Sequence, residues 1–309
     1  MLSRVAENLY WMARYVERAE NTARMINVNA HLLLDLPKRM RLGWEPLVLT
    51  TGADAQFHEL YKQADQRSVI RFLVADERYT GSMINSLNYA RENARTMREV
   101  LPSEAWEQIN DLYLQLKENV PGGLAEKQRY EFLKGMIGGA QRLTGLLAGS
   151  MSQDTGYFFI RLGRNLERAD MTTRVIDVRS VNLLPDLDED LAPVENIQWM
   201  SVLNTLSAYQ MYRQQVGKPV RRADVIAFLF KDERFPRAFA HCLGEVTGAL
   251  KALPRNRAPL AMAREFSAEV AESAPEELDQ QGLHDYIDQL QLKLGQLHSG
   301  ISDNYFALG

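Results

Sequence analysis

The sequence of 309 residues contains a single cysteine, Cys242. No internal disulfide can form, and the chain is expected to belong to a reducing compartment, the cytoplasm being the default. Long apolar runs are missing too. The opening MLSRVAENLYWMARYVERAE interrupts every apolar stretch with charge, so neither a secretion signal nor a membrane span is expected, and no membrane partner. No HExxH, paired CxxC, phosphate loop or GxSxG occurs, which removes the sharpest metal, nucleotide and acyl-transfer signatures. His31, His58, His241, His284 and His298 are scattered without ligand spacing, so neither a metal nor a cofactor is expected. With a formal net charge of -4 the chain has no overall attraction for nucleic acid, and any anion site must be a local basic patch.

What is present is an ordinary globular composition, 46% hydrophobic and 25% charged. Within it the chain repeats itself. Tyr10 to Val28 laid over Ile160 to Val178 gives eight identities in nineteen positions, among them Arg14 with Arg164, Glu17 with Glu167, Arg18 with Arg168 and Arg24 with Arg174. A second pair, VIRFLVADERYTGSMINSL (Val69 to Leu87) over VIAFLFKDERFPRAFAHCL (Val225 to Leu243), again shares eight of nineteen. Trp44 and Trp199 fall between the blocks at compatible spacing. Two diverged copies are expected, residues 1–150 and 151–309, together forming one compact domain.

The periodicity predicts an all-α protein, a helical bundle of two pseudo-equivalent halves. Leu9, Met12, Val16, Ala19, Ala23 and Ile26 follow the three-and-four spacing of one buried helix face, with the charged set opposite. Both opening helices run toward a Leu-Pro step, Leu36-Pro37 and Leu184-Pro185, where proline favours a stop. Each is expected to exceed thirty residues, roughly 45 Å. Further helices are predicted at 45–62, 82–100, 103–118, 126–150, 197–215, 235–253, 257–274 and 280–306. LVLTT, Leu47 to Thr51, is too short to read as a strand. Linkers are expected at Pro37 to Pro46, Val120 to Gly123, and the acidic Pro185 to Glu195. GMIGGAQRLTGLLAG, Gly135 to Gly149, places five glycines in a helical pattern, each costing roughly 1 kcal/mol against alanine, which close helix approach would offset.

At 100° per residue, Arg14, Glu17, Arg18, Asn21 and Arg24 form one stripe. Glu20 to Arg24 and Asp170 to Arg174 are ordinary acid-before-base pairs. Arg14 with Arg18, and Arg164 with Arg168, are like charges four apart, which an isolated helix resists. Negative charge must come from elsewhere. Three sources are open: the other copy's glutamate, so that Glu17 meets Arg164 or Arg168 and Glu167 meets Arg14 or Arg18; an anionic ligand on guanidinium forks; or solvent alone. A second charged patch, ARENARTMRE, puts Arg91, Arg95 and Arg98 on one predicted helix face with Asn93 beside them. The second copy lacks it, so it is either a ligand or partner surface or a solvated basic face.

YWMARYVERAENTAR, ARENARTMREVLPSEAWEQIN, FIRLGRNLERAD, FLFKDERFPRA and the terminal NYF resemble the alpha-E family, bacterial all-helical proteins named for a Glu-Arg motif. The resemblance spans almost the whole chain. It implies linkage to circularly permuted ATP-grasp ligases and transglutaminase-like proteins, in a setting where peptide or amide bonds are formed, modified or removed. By position, the motif's pairs fall at Glu17-Arg18 and Glu167-Arg168. The expected function is a non-catalytic binding or scaffolding subunit of an ATP-grasp amide-ligase system, holding the ligase or an acidic peptide. The alternative is an enzyme using Glu17 and Glu167 on an amide, peptide or carboxylate substrate, although arginine neighbours would lower their pKa values.

Overall fold

In a computed structural model, residues 3–35, 43–123, 125–181 and 192–307 are described, and every regular element among them is helical. The two motif-bearing segments are the long helices α1 (Ser3–Asp35) and α8 (Thr155–Val181), which form the most extensive helix pair of the bundle. They approach closely because Gly163 has no side chain. A Cβ there would stand 2.1 Å from the Tyr10 carbonyl oxygen and 3.3 Å from Arg14 Cγ.

Leu9, Met12, Val16, Ala19, Ala23 and Ile26 are all buried, as their spacing predicts. The opposite face of α1 is not left to solvent. Glu17, Glu20, Asn21 and Arg24 are buried as well, so α1 is covered nearly all round.

The flanking helices are distributed evenly about the central pair. On α1 lie α5 (Met83–Thr96) and α7 (Glu126–Ser150), bridged by α6 (Ser103–Gly123); on α8 lie α12 (Phe239–Ala252) and α14 (Gln280–Tyr305), bridged by α13 (Arg257–Glu272). Two short helices cross over, α2 (Glu45–Thr51) onto α8 and α9 (Ala192–Thr205) onto α1. The aligned Val69 and Val225 blocks contain α4 (Gln66–Ala75) and α11 (Arg222–Lys231). Both stop at the shared Asp-Glu-Arg triplet. Asp76 Oδ1 accepts the Arg78 backbone N–H at 3.0 Å, and Asp232 Oδ1 accepts that of Arg234 at 2.9 Å. A carboxylate that bonds its own chain two residues on turns the backbone, so the triplets shape turns.

Several boundaries depart from the periodicity. The span 45–62 breaks into α2 and α3 (Asp54–Leu60) at Gly52, whose φ is +67°, and 197–215 breaks into α9 and α10 (Tyr209–Val216) at Ser207, φ 54°. Left-handed residues end the hydrogen-bond ladder however the apolar pattern continues. Val120 to Gly123 is no linker, because α6 runs through it; the described part of α8 has 27 residues and ends where the described residues end. Of the five glycines in α7, only Gly139 meets a neighbouring helix, where a Cβ would stand 2.4 Å from Leu112 Cδ2. The other four face open space, so close approach does not account for them. Both Leu-Pro steps, and most of the expected linkers after them, lie outside the described residues. Among the described residues, no helix is long and apolar enough to cross a membrane.

Candidate functional site

The charged stripes of α1 and α8 face each other. Glu167 on α8 accepts from Arg14 Nε at 2.8 Å and from Arg18 Nε and Nη2 at 2.6 and 3.1 Å, so Arg18 grips both carboxylate oxygens. Reciprocally, Arg168 Nε stands 3.0 Å from Glu17 Oε2, an ion pair in which the Nε hydrogen is not directed at the oxygen. Of the three sources of negative charge, the glutamate of the opposite helix is the one in place.

Glu17 has a second partner that periodicity did not single out. Arg237, in the turn between α11 and α12, donates from Nη1 to Glu17 Oε1 and to Asn21 Oδ1, each at 2.7 Å, and from Nη2 to Glu20 Oε1 at 2.8 Å. Its carbonyl accepts from Thr172 Oγ1 at 2.9 Å, which ties the turn to α8. Arg237 aligns with Gly81 in the Val69 block, so laying one block over the other hides it. Its presence in FLFKDERFPRA, just beyond the shared triplet, was the available signal.

The arrangement is therefore not fully reciprocal. Arg14 reaches Glu167, whereas its counterpart Arg164 has no carboxylate within ion-pair distance among the described residues, and its buried Nε has no hydrogen-bond partner. Arg237 takes the place at Glu17 that symmetry would give Arg164. Arg24 donates from Nε and Nη2 to Glu20 Oε1 at 2.9 and 2.6 Å and also reaches Ser207 Oγ; Arg174 donates to Asp170 Oδ2 at 2.8 Å.

The electrostatics follow the geometry. Burial alone would raise the pKa of Glu167, but the Arg18 and Arg14 guanidinia overcome that and hold it at about 2. Glu17 is lowered in the same way, with burial opposed by Arg168 and Arg237. Arg164 moves the other way from its paired neighbours: burial and the like charge of Arg168 lower its pKa. At the end of the cluster Tyr10 OH accepts from Arg14 Nη1 at 3.2 Å and lies 2.7 Å from His298 Nδ1. Burial, then Arg14, pushes His298 down to about 4, leaving it neutral at physiological pH. Burial pushes the Cys242 thiol up to about 12, far from a thiolate nucleophile.

The ARENAR patch lies elsewhere, on α5 and the turn after it. Arg91 donates to Asn110 Oδ1 and Glu92 Oε1, both at 2.8 Å, and Arg95 donates to Glu92 Oε2 at 2.8 Å. Asn93, on the same helix, is half-buried. Arg98 does not share the helix face, since α5 ends at Thr96; its guanidinium instead lies over the Trp106 ring, 4.1 Å from the centroid. Arg91 flanks the same ring at 5.7 Å. Glu92 thus neutralises part of the patch, while Arg98 keeps an exposed charge on an aromatic platform.

The profile of the Alpha-E family, described as a predicted alpha-helical domain with a conserved ER motif, matches residues 1–306. Among curated proteins, uncharacterised proteins of Mycobacterium bovis and of Mycobacterium tuberculosis (strain CDC 1551 / Oshkosh) are each 25% identical over 323 residues, covering 96% of this chain and 35% of the relative. A third, from Mycobacterium tuberculosis strain H37Rv, is 24% identical over the same span. The chain thus spans about a third of the length of these relatives. No solved structure matches it.

Proposed function

The chain belongs to the Alpha-E family, and from that premise we propose that it is a non-catalytic binding or scaffolding subunit of an ATP-grasp-type peptide- or amide-ligase system, in a cytoplasmic setting. Its partners in this reading are a circularly permuted ATP-grasp ligase, a transglutaminase-like protein and the acidic peptide on which they act. The two central helices act as a charge-keyed frame that we read as the join between two diverged copies. The partner surface lies outside the frame, at Arg91, Arg95 and Arg98.

One observation carries the choice of scaffold over enzyme: both motif glutamates are 2% exposed and each is engaged by two arginines. A general acid must hold a proton near neutral pH and reach its substrate. Glu167, held at about 2, is ionised throughout that range, and both glutamates are buried. Removing one partner of such a pair exposes the cost of a buried unpaired charge, which suits a feature that specifies how helices dock.

The test is recovery of the native protein with its bound partners, followed by measurement of ATP turnover by any co-purified ATP-grasp ligase with and without the helical chain. A severalfold change in turnover on removing the chain, lost again in Arg91→Ala/Arg98→Ala, is expected. If the isolated chain makes or breaks amide bonds, and Glu167→Gln abolishes that activity while leaving the fold intact, the catalytic alternative replaces this reading.

A further inference from the structure

A second arginine site lies away from the central cluster, where α1, α4 and α7 meet. Arg129 of α7 is 6% exposed, yet no carboxylate among the described residues lies within ion-pair distance of it, and its buried Nε has no hydrogen-bond partner. Its Nη1 and Nη2 donate to the side-chain oxygen of Gln66 at 2.5 and 2.8 Å, with the Gln66 amide turned as these donors require. Gln66 is neutral, so the cation has no direct ion pair, and Glu126 acts on it only from beyond ion-pair distance. Burial lowers the Arg129 pKa, and Glu126 is what opposes that. A buried guanidinium held by an amide instead of an acid is costly unless something else supplies the negative charge.

Two cavities meet at this residue. One, of about 670 Å³, is lined by Arg67 and Arg71 together with Arg129. Arg67 and Arg71 are four apart on α4, a repulsive spacing for like charges, and neither has an ion-pair partner among the described residues. The other cavity, of about 230 Å³, is lined by apolar and aromatic side chains, notably Trp44, His31, Tyr130, Leu34 and Leu133. Gln66, Glu126 and Arg129 line both, so the cavities share a wall. Leu34 is 79% and Tyr130 45% exposed, with the His31 ring set edge-on to Tyr130 at 5.5 Å. Arg129 lies 5.8 Å over the Trp44 ring, at the join of the basic and aromatic halves.

We propose that this junction binds a small amphipathic organic anion, with its carboxylate or phosphate held by Arg67, Arg71 and Arg129 and its apolar body seated against Trp44, Tyr130 and Leu34. The division of labour is that of ligand sites generally, where an apolar lining supplies contact area and a few convergent polar groups fix orientation. Three guanidinia facing one space suit an anionic oxygen group better than any cation or neutral head. The proposal is independent of the ligase reading, because it uses none of the residues of the Glu-Arg frame or the ARENAR patch.

The test is calorimetric titration of the full chain with phenyl phosphate, 3-phenylpropionate, octanoate, inorganic phosphate and uncharged 3-phenylpropanamide. Saturable binding of at least one amphipathic anion is expected, at least about tenfold tighter than the amide or inorganic phosphate, since charge-assisted hydrogen bonds and apolar contact are each worth about a factor of ten or more. Phenyl phosphate against 3-phenylpropionate decides the head group, and octanoate against 3-phenylpropionate decides between an aliphatic and an aromatic body. Arg67 and Arg71 are exposed, so Arg67→Gln/Arg71→Gln leaves the fold intact and weakens binding about tenfold. Tyr130→Ala weakens the amphipathic anions and leaves inorganic phosphate unchanged. Equal binding of the anion and its amide, equal binding by the arginine double variant, or no saturable binding of any amphipathic anion overturns the proposal.

Discussion

Arg237 donates from Nη1 to Glu17 Oε1 at 2.7 Å across 220 residues of chain, and the same guanidinium reaches Glu20 and Asn21. A single side chain from the turn before α12 thereby holds three polar positions within two turns of α1. The arginine that symmetry would place there, Arg164, lies nearby without a carboxylate.

That exchange sets up a contrast between two arginine-to-methionine changes. Arg237→Met takes one of the two arginines from Glu17 and one of the two from Glu20, leaving Arg168 and Arg24 in place, and is expected to cost up to roughly 3–5 kcal/mol in chemical denaturation. Arg164→Met removes a half-buried cation that has no ion pair to lose, and is expected to leave stability unchanged or raise it. Equal losses in the two variants would mean that Arg164 has a partner after all.

Glu167→Gln removes the charge on which Arg14 and Arg18 converge. Two half-buried guanidinia are then left facing a buried neutral amide, at a cost of roughly 3–5 kcal/mol, or on the order of 10 °C in melting temperature for a domain of this size. Differential scanning fluorimetry reads this directly. A variant that melts like the parent would remove the architectural role assigned to the cluster.

The glycines divide into two kinds. Gly163→Ala puts a methyl group 2.1 Å from the Tyr10 carbonyl oxygen, so α1 and α8 must separate, at about 1–3 kcal/mol or more. Gly138→Ala meets nothing within 4 Å and is expected to stabilise α7 by up to about 1 kcal/mol. Thermal melts of the two variants should shift in opposite directions.

Acid should unfold the protein in two overlapping steps. Glu167 has a folded pKa of about 2 against an ordinary 4.5, so its contribution is complete above about 4.5 and is lost as pH falls toward 2, a loss of roughly 3 kcal/mol. His298 is depressed from 6.5 to about 4, so between those values the unfolded chain binds the proton more readily and stability also declines as pH falls. Melting temperature measured from pH 7 to 2 should drop throughout. His298→Phe should flatten the upper part of the curve and leave the lower part in place.

The helices were legible in the sequence because an amphipathic repeat is local: Leu9, Met12, Val16 and their successors reveal a buried face whatever packs on it. The recurring charges were legible too, since a like-charge pair such as Arg14 and Arg18 demands an acid from outside its own helix, and Glu167 is the residue that aligns with Glu17. Breaks within the helices were less so, as Ser207 turns left-handed without any glycine to announce it.

Which arginine satisfies Glu17 depended on the path of the chain after α11, and nothing in the spacing of α1 or α8 distinguishes Arg237 from Arg164. The three-arginine junction is a tertiary property in the same sense. Arg67 and Arg71 lie on one helix and Arg129 on another, and only their packing brings three cations to one space with an aromatic wall beside it. Periodicity and charge along a single helix determine which face must find a partner; the identity of that partner is settled by which distant segments the folded chain brings within a few ångströms.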